Sequence, residues 1–148
     1  MPKLIYMDVC ALSRPFDDQD YMRIKLETEA VNLILLKTRE GKLKLLFSPV
    51  HLTEIEAIPD VFERIELQTV LDELGDVIKG DMSKIRSRAE DLVSLGLGVA
   101  DAAHVAFAEY SGAEFISCDT RLLKKCKTSK IKVWFSNPVA FCEKEGLK

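Results

Sequence analysis

Leu4-Ile5-Tyr6-Met7 runs straight into Asp8. Four consecutive apolar residues, rich in strand formers and bounded by an acid, read as a short strand covered on both faces. The same signature returns at Leu43–Phe47, at Glu114–Cys118, which ends in Asp119, and at Ile131–Phe135. Between these runs the pattern switches to helix. Ser13–Asp20 is turn-like, and Tyr21–Glu40 follows as a helix with Ile24, Val31 and Leu35 on one face and Gly41 as its stop. Ser48 and Pro49 suit the N-cap and first turn of a helix carrying Glu54. Pro59-Asp60 breaks that helix and caps another, which runs to about Leu74. Ser83–Leu95 has a charged helical face, and Gly96-Leu97-Gly98 ends it. Val99–Ser111 holds five alanines and stops at Gly112. Leu122–Lys125 reads as a short helical turn, and Asn137-Pro138 caps a last helix ending near Gly146. Short apolar strands alternating with helices predict an α/β fold with a mainly parallel sheet. In such sheets ligands bind beyond the carboxyl ends of the strands, so the residues that follow strands are where chemistry is expected.

Composition bounds the function classes. The chain has 148 residues, 47% hydrophobic and 30% charged, which fits one domain over 1–148 with a real core and excludes a disordered chain. Its longest apolar runs, such as Leu33–Leu36, fall far short of the ~18 residues that span a bilayer. The N-terminus meets an acid at position 8 and lacks the apolar region of an export signal. The four cysteines, Cys10, Cys118, Cys126 and Cys142, form no C-x-x-C pair, and two histidines are too few for zinc-finger spacing. Free, buried thiols in a reducing, cytoplasmic setting are expected. A net charge of −3 argues against nonspecific coating of nucleic acid. Yet Arg121–Lys132 carries six basic residues and no acid, leaving −9 on the remainder. That strip is either a solvated face or a local track for a phosphate backbone.

Four acids stand out. Asp8 and Asp119 close two strands, Glu54 lies early in the helix after the second, and Asp101 occupies the first turn of the alanine-rich helix. Each has an ordinary structural explanation, as a turn residue or as an acid at a helix N-terminus. Together at one sheet edge they would repel strongly and would have to protonate or bind a cation. An all-oxygen donor set selects a hard ion, Mg²⁺ or Mn²⁺, and that ion next to a phosphate suggests metal-assisted phosphodiester hydrolysis.

At these residues the chain resembles a PIN domain, the metal-dependent nuclease fold of VapC-type toxins in prokaryotic toxin–antitoxin pairs. The matching pieces are Ile5–Asp8, Ser48–Ile55, Val99–Glu109 and Gly112–Thr120, in the family's order and across nearly the whole chain. The Arg14–Gln19 segment also looks like a variant seen in prokaryotic members. The resemblance implies a three-layer α/β/α sandwich, often a homodimer, that acts on RNA. It also implies Asp8, Glu54, Asp101 and Asp119 as metal ligands, Thr120 as an accessory hydroxyl, and a protein antitoxin as a candidate partner. Where many relatives have Asn or a small polar residue two positions after the first aspartate, this chain has Cys10.

The remaining residues keep two readings. Arg14 suits a phosphate oxygen or a local acid. Lys124 and Lys125, five and six residues past Asp119, suit an RNA backbone or solvent. His104 and His51 are read first as packed helix histidines, with a proton-shuttle role as the alternative. Asp17, Asp18 and Asp20 are expected to cap and charge-match the following helix. Gly96-Leu97-Gly98 lacks the context of a dinucleotide fingerprint, and Asp8-Val9-Cys10 lacks the second aspartate of a phosphoaspartyl phosphatase. The reading is a cytoplasmic endoribonuclease using Mg²⁺ or Mn²⁺, with a non-catalytic PIN-like module binding RNA or protein, or a DNA-directed nuclease, as alternatives.

Overall fold

Strands β1 (Lys3–Met7), β2 (Leu43–Phe47), β3 (Gly75–Val77), β4 (Glu114–Ile116) and β5 (Phe135–Ser136) form one sheet in the order β3-β2-β1-β4-β5. Every pair is parallel. This is seen in a computed structural model that describes residues 1–148. Parallel neighbours need crossovers, and helices supply them: α1 (Val9–Leu12), α2 (Met22–Arg39), α3 (Pro49–Glu56), α4 (Val61–Leu74), α5 (Met82–Ser94), α6 (Val99–Ser111), α7 (Thr120–Thr128) and α8 (Pro138–Glu145). The chain steps outward from β1 through β2 to β3, then returns to the other side of β1 for β4 and β5. The strand order therefore reverses between β1 and β4, the switch point at which α/β sheets leave a crevice.

Side-chain alternation divides the core into two layers. Ile5, Met7, Leu45 and Ile116 face one cluster with Val31, Ile34, Leu71 and Phe141. Tyr6, Leu46 and Phe115 face the other with Leu92, Val105 and Leu122. Each fully buried Leu, Ile or Phe contributes about 1.5–3 kcal/mol, so both faces of the sheet are covered for a strong reason. The architecture is the expected α/β/α sandwich, and the sheet is wholly parallel.

Local signals start and stop the elements as read. Ser48 builds a capping box, its Oγ accepting from Val50 N–H at 3.3 Å while His51 Nδ1 accepts from Ser48 N–H at 3.1 Å. Asn137 caps α8 through Ala140 N–H at 2.8 Å. Gly112 ends α6 at φ +71°, a left-handed conformation that costs glycine nothing.

Several expectations need correction. β3 has no strand-like sequence; it is a three-residue edge held against Phe47, where a Cβ on Gly75 would come 2.7 Å from the ring. The last strand is Phe135–Ser136 instead of Ile131–Phe135, because Lys130 turns at φ +50° and pairing begins only where Phe115 N–H meets Trp134 O. The strand expected over Glu114–Cys118 is β4, and it ends at Ile116. The turn at Leu122–Lys125 is the middle of a nine-residue helix, α7, capped by Asp119. The buried stripe of α2 is Glu27, Ala30, Val31, Ile34 and Thr38, while Ile24 and Leu35 are only half-buried. Asp17, Asp18 and Asp20 do not cap α2, whose N-cap is Tyr21; Asp17 instead pairs with Arg14, and Asp18 accepts from Asp20 N–H. All four thiols are free, but Cys10 is exposed and Cys142 half-buried. No helix is long and apolar enough to cross a membrane.

Candidate functional site

Asp8 and Asp119 follow β1 and β4, the two strands that flank the switch point. Neighbouring strands lie about 4.8 Å apart, and Met7 is in register with Ile116, so the residues that follow them start side by side. Asp8 is 3% exposed and caps α1, with Oδ1 accepting from Ala11 N–H at 2.9 Å. Its Oδ2 accepts from the Ser117 hydroxyl at 2.6 Å. The same Ser117 Oγ accepts from Asp119 N–H at 3.0 Å, so one buried hydroxyl ties the two acids together. Asp119 Oδ1 accepts from Arg121 and Leu122 N–H at the start of α7. Each carboxylate has about four lone-pair sites, so both keep capacity for a cation.

Asp101 reaches the same edge from the first turn of α6, half-exposed, with only charges and burial acting on its carboxylate. Glu54 comes from α3 with its side chain 37% exposed, and its Oε1 meets His104 Nε2. The acids feel one another. Burial pushes Asp8 from 3.8 to about 6, and the charge of Asp101 adds to the rise, while Ser117, His104 and Ala11 N–H oppose it. Asp101 is pushed up by its partial burial, then by Asp119 and Glu54, with His104 and Lys125 pulling the other way. The four acids read from the sequence therefore share one electrostatic neighbourhood at the carboxyl edge of the sheet.

The donor set suits a hard divalent ion, being all oxygen and self-repelling. No three His, Cys, Asp or Glu groups stand close enough to hold an ion as they are. Mg²⁺ is commonly held by only one or two carboxylates, with waters and substrate phosphate filling the octahedron. The residues fit that mode, and a tighter shell would require the side chains to draw together.

The other expected residues are placed as follows. Thr120 is exposed at the first position of α7. Arg14 engages local acids: Nε and Nη2 contact Glu27, and Nη1 contacts Asp17. Lys124 and Lys125 are exposed on α7, and the charge of Lys125 reaches Asp101. His51 is a packed histidine. Its Nδ1 accepts from Ser48 N–H, so Nε2–H donates to Met7 O at 2.6 Å, and burial pushes it down to about 3. His104 is packed too, but its ring bonds the site's own Glu54.

Sequence reading missed Ser117, Ser48 and the Tyr6 hydroxyl as polar parts of this region. Ser117 could have been found from its place two residues before a strand-end aspartate. Tyr6 could have been found because a buried phenol needs a partner.

No protein-family model matches the chain, and no curated protein does. Among solved structures, FitAcB from Neisseria gonorrhoeae aligns with a TM-score of 0.53 at 14% identity, over 90% of this chain and 97% of that one. FitAB bound to the IR36 DNA fragment aligns with a TM-score of 0.56 at 15% identity, over 91% of this chain and 95% of that one. At such identities the likeness speaks for the fold alone, an α/β/α sandwich around a five-stranded parallel sheet.

Proposed function

We propose that this protein is a metal-dependent endoribonuclease of PIN type and the toxin of a toxin–antitoxin pair. The observation that carries the reading is that Asp8, Glu54, Asp101 and Asp119 lie along one edge of the sheet, apart but within reach of one another's charge, where burial first and neighbouring acids second raise Asp8 and Asp101. Asp8 and Asp101 would hold the principal ion, and Glu54 and Asp119 would complete its surroundings or orient a water. When bound, Mg²⁺ or Mn²⁺ supplies an acidified water and neutralises charge that builds on the phosphoryl oxygens. Asp101 is the least committed of the four within the protein and is free to turn toward a ligand. Thr120 supplies an accessory hydroxyl, Arg14 is taken up by its ion pairs with Glu27 and Asp17, and Lys124 and Lys125 carry the RNA backbone past the acids. No side-chain nucleophile is needed, so no covalent intermediate forms. The likeness to FitAB supports a protein antitoxin as partner, and the family resemblance supports a homodimer in the cytoplasm.

The test is cleavage of single-stranded RNA with Mn²⁺, with and without chelator, beside Asp101→Asn. The variant is expected to lose several kcal/mol of barrier lowering, about 10²-fold or more in rate. Equal rates for variant and parent would refute the assignment, and a DNA competitor that outruns RNA would redirect the substrate. A second reading, a non-catalytic RNA- or protein-binding module, is favoured by the separation of the donors and by Cys10 in place of a small polar residue. Calorimetry with Mn²⁺ separates the two, since such a module gives no binding heat.

A further inference from the structure

Behind Glu54 runs a buried polar chain that the roles above do not use. Tyr6 and Ser48 are fully buried and His104 nearly so. The Tyr6 hydroxyl lies 2.8 Å from Ser48 Oγ and 2.6 Å from His104 Nδ1, and His104 Nε2 meets Glu54 Oε1. A carboxylate only accepts, so His104 Nε2–H donates to Glu54, and the Tyr6 hydroxyl bridges His104 Nδ1 and Ser48 Oγ. The rings are wedged as well: Tyr6 lies 5.5 Å from His104 and 4.8 Å from His51, and His51 lies 4.8 Å from His104.

The chain links three separate elements. Tyr6 comes from β1, two residues before Asp8. His104 lies in α6, one turn after Asp101, so the two share a helix face. Glu54 comes from α3 and is part-exposed, and a glutamate left to itself keeps many rotamers, worth up to about 2 kcal/mol in entropy. A hydrogen bond from a rigidly packed imidazole removes that freedom and ties Glu54 to the helix that carries Asp101.

We propose that Tyr6 and His104 are positioning residues, which hold the Glu54 carboxylate at the acidic edge in register with Asp101 through this buried chain. The inference rests on the metal-dependent nuclease reading. Groups of this kind, which orient ligands without touching the ion, are worth about 10–100-fold in affinity or activity.

The experiment compares the parent with Tyr6→Phe, His104→Gln, His104→Leu, Glu54→Gln and the double variant His104→Leu/Glu54→Gln. It measures Mn²⁺ affinity by calorimetry, kcat and KM on single-stranded RNA, and melting temperature. His104→Leu is expected to weaken Mn²⁺ binding and lower kcat by about 10–100-fold, with KM for RNA little changed. His104→Gln, whose amide can still donate to Glu54, is expected to restore most of that loss. The double variant is expected to be no worse than Glu54→Gln alone, because both changes act through one carboxylate. Should His104→Leu fail to fold, Tyr6→Phe carries the test, since it removes only the hydroxyl and keeps the ring. Lower melting temperatures with parental Mn²⁺ affinity and kcat would overturn the inference and leave the nuclease reading standing, as would losses that multiply in the double variant. A parent that neither binds Mn²⁺ nor cuts RNA would overturn both.

Discussion

Replacing Asp8 with Asn removes a charge that the folded protein holds at a cost. Burial pushes this carboxyl from 3.8 to about 6 despite its bonds to Ser117 and Ala11. That displacement corresponds to about 3 kcal/mol of lost stability at neutral pH. Asn caps a helix as well as Asp does, so the start of α1 is kept. The amide cannot accept the Ser117 hydroxyl on its NH₂ side, which takes back about 1 kcal/mol. The net expectation is a variant more stable than the parent by about 2 kcal/mol in chelator at pH 7, or about 4–8 °C in melting temperature for a chain of this size.

Two further measurements fix the cause. Because the raised group binds its proton more tightly when folded, the parent loses stability as pH rises from about 4 to about 6. The variant's advantage should therefore vanish below about pH 4, where both side chains are neutral. With Mn²⁺ at about 1,000 times its dissociation constant the parent should gain about 4.1 kcal/mol and the variant little, so their order reverses. Urea denaturation and thermal melts, each with chelator and with Mn²⁺, read these outcomes. A variant less stable than the parent in chelator would mean that the Asp8 charge serves the fold. Equal gains from Mn²⁺ would mean that Asp8 does not hold the ion.

Three more substitutions probe the surroundings of the acids. Ser117→Ala removes the hydroxyl between Asp8 and Asp119; it should cost about 1–3 kcal/mol in urea denaturation and raise the Asp8 titration, followed by NMR, above that of the parent, and an unmoved titration would refute the bridging role. Lys124→Ala and Lys125→Ala should each weaken RNA binding and flatten the plot of log affinity against log salt by about 0.7 per lysine that meets a phosphate, with the larger rate effect at Lys125, whose charge reaches Asp101; an unchanged slope would return the strip to solvent.

What the sequence made legible was whatever is encoded locally. Leu4–Met7 and Leu43–Phe47 are apolar runs with sharp ends, Ser48-Pro49 is a helix start by its own chemistry, and Gly112 is a helix stop by its own backbone freedom. The strand ends marked two of the four acids, and the family resemblance singled out the other two. Elements held by partners were not legible. β3 exists because β2 offers an edge and Gly75 lets the chain press against Phe47. β5 begins where β4 needs acceptors, not where its own apolar run begins.

The same division explains the site. The carboxylates are visible because acids next to strand ends are conspicuous in one dimension. Their supports are not, since Tyr6 and His104 are 98 residues apart, and His104 and Glu54 are 50 apart. No local period encodes either pairing. Yet each support broke a local rule: a phenol inside a buried strand, a serine inside an apolar strand end, and a histidine among alanines. A buried polar atom must be matched by another, and an unmatched one costs about 1–3 kcal/mol. Such residues in an apolar stretch are therefore unpaid demands for partners elsewhere in the chain. Read as a set, Tyr6, Ser48, His104 and Ser117 call for partners that the strand ends were already in place to supply.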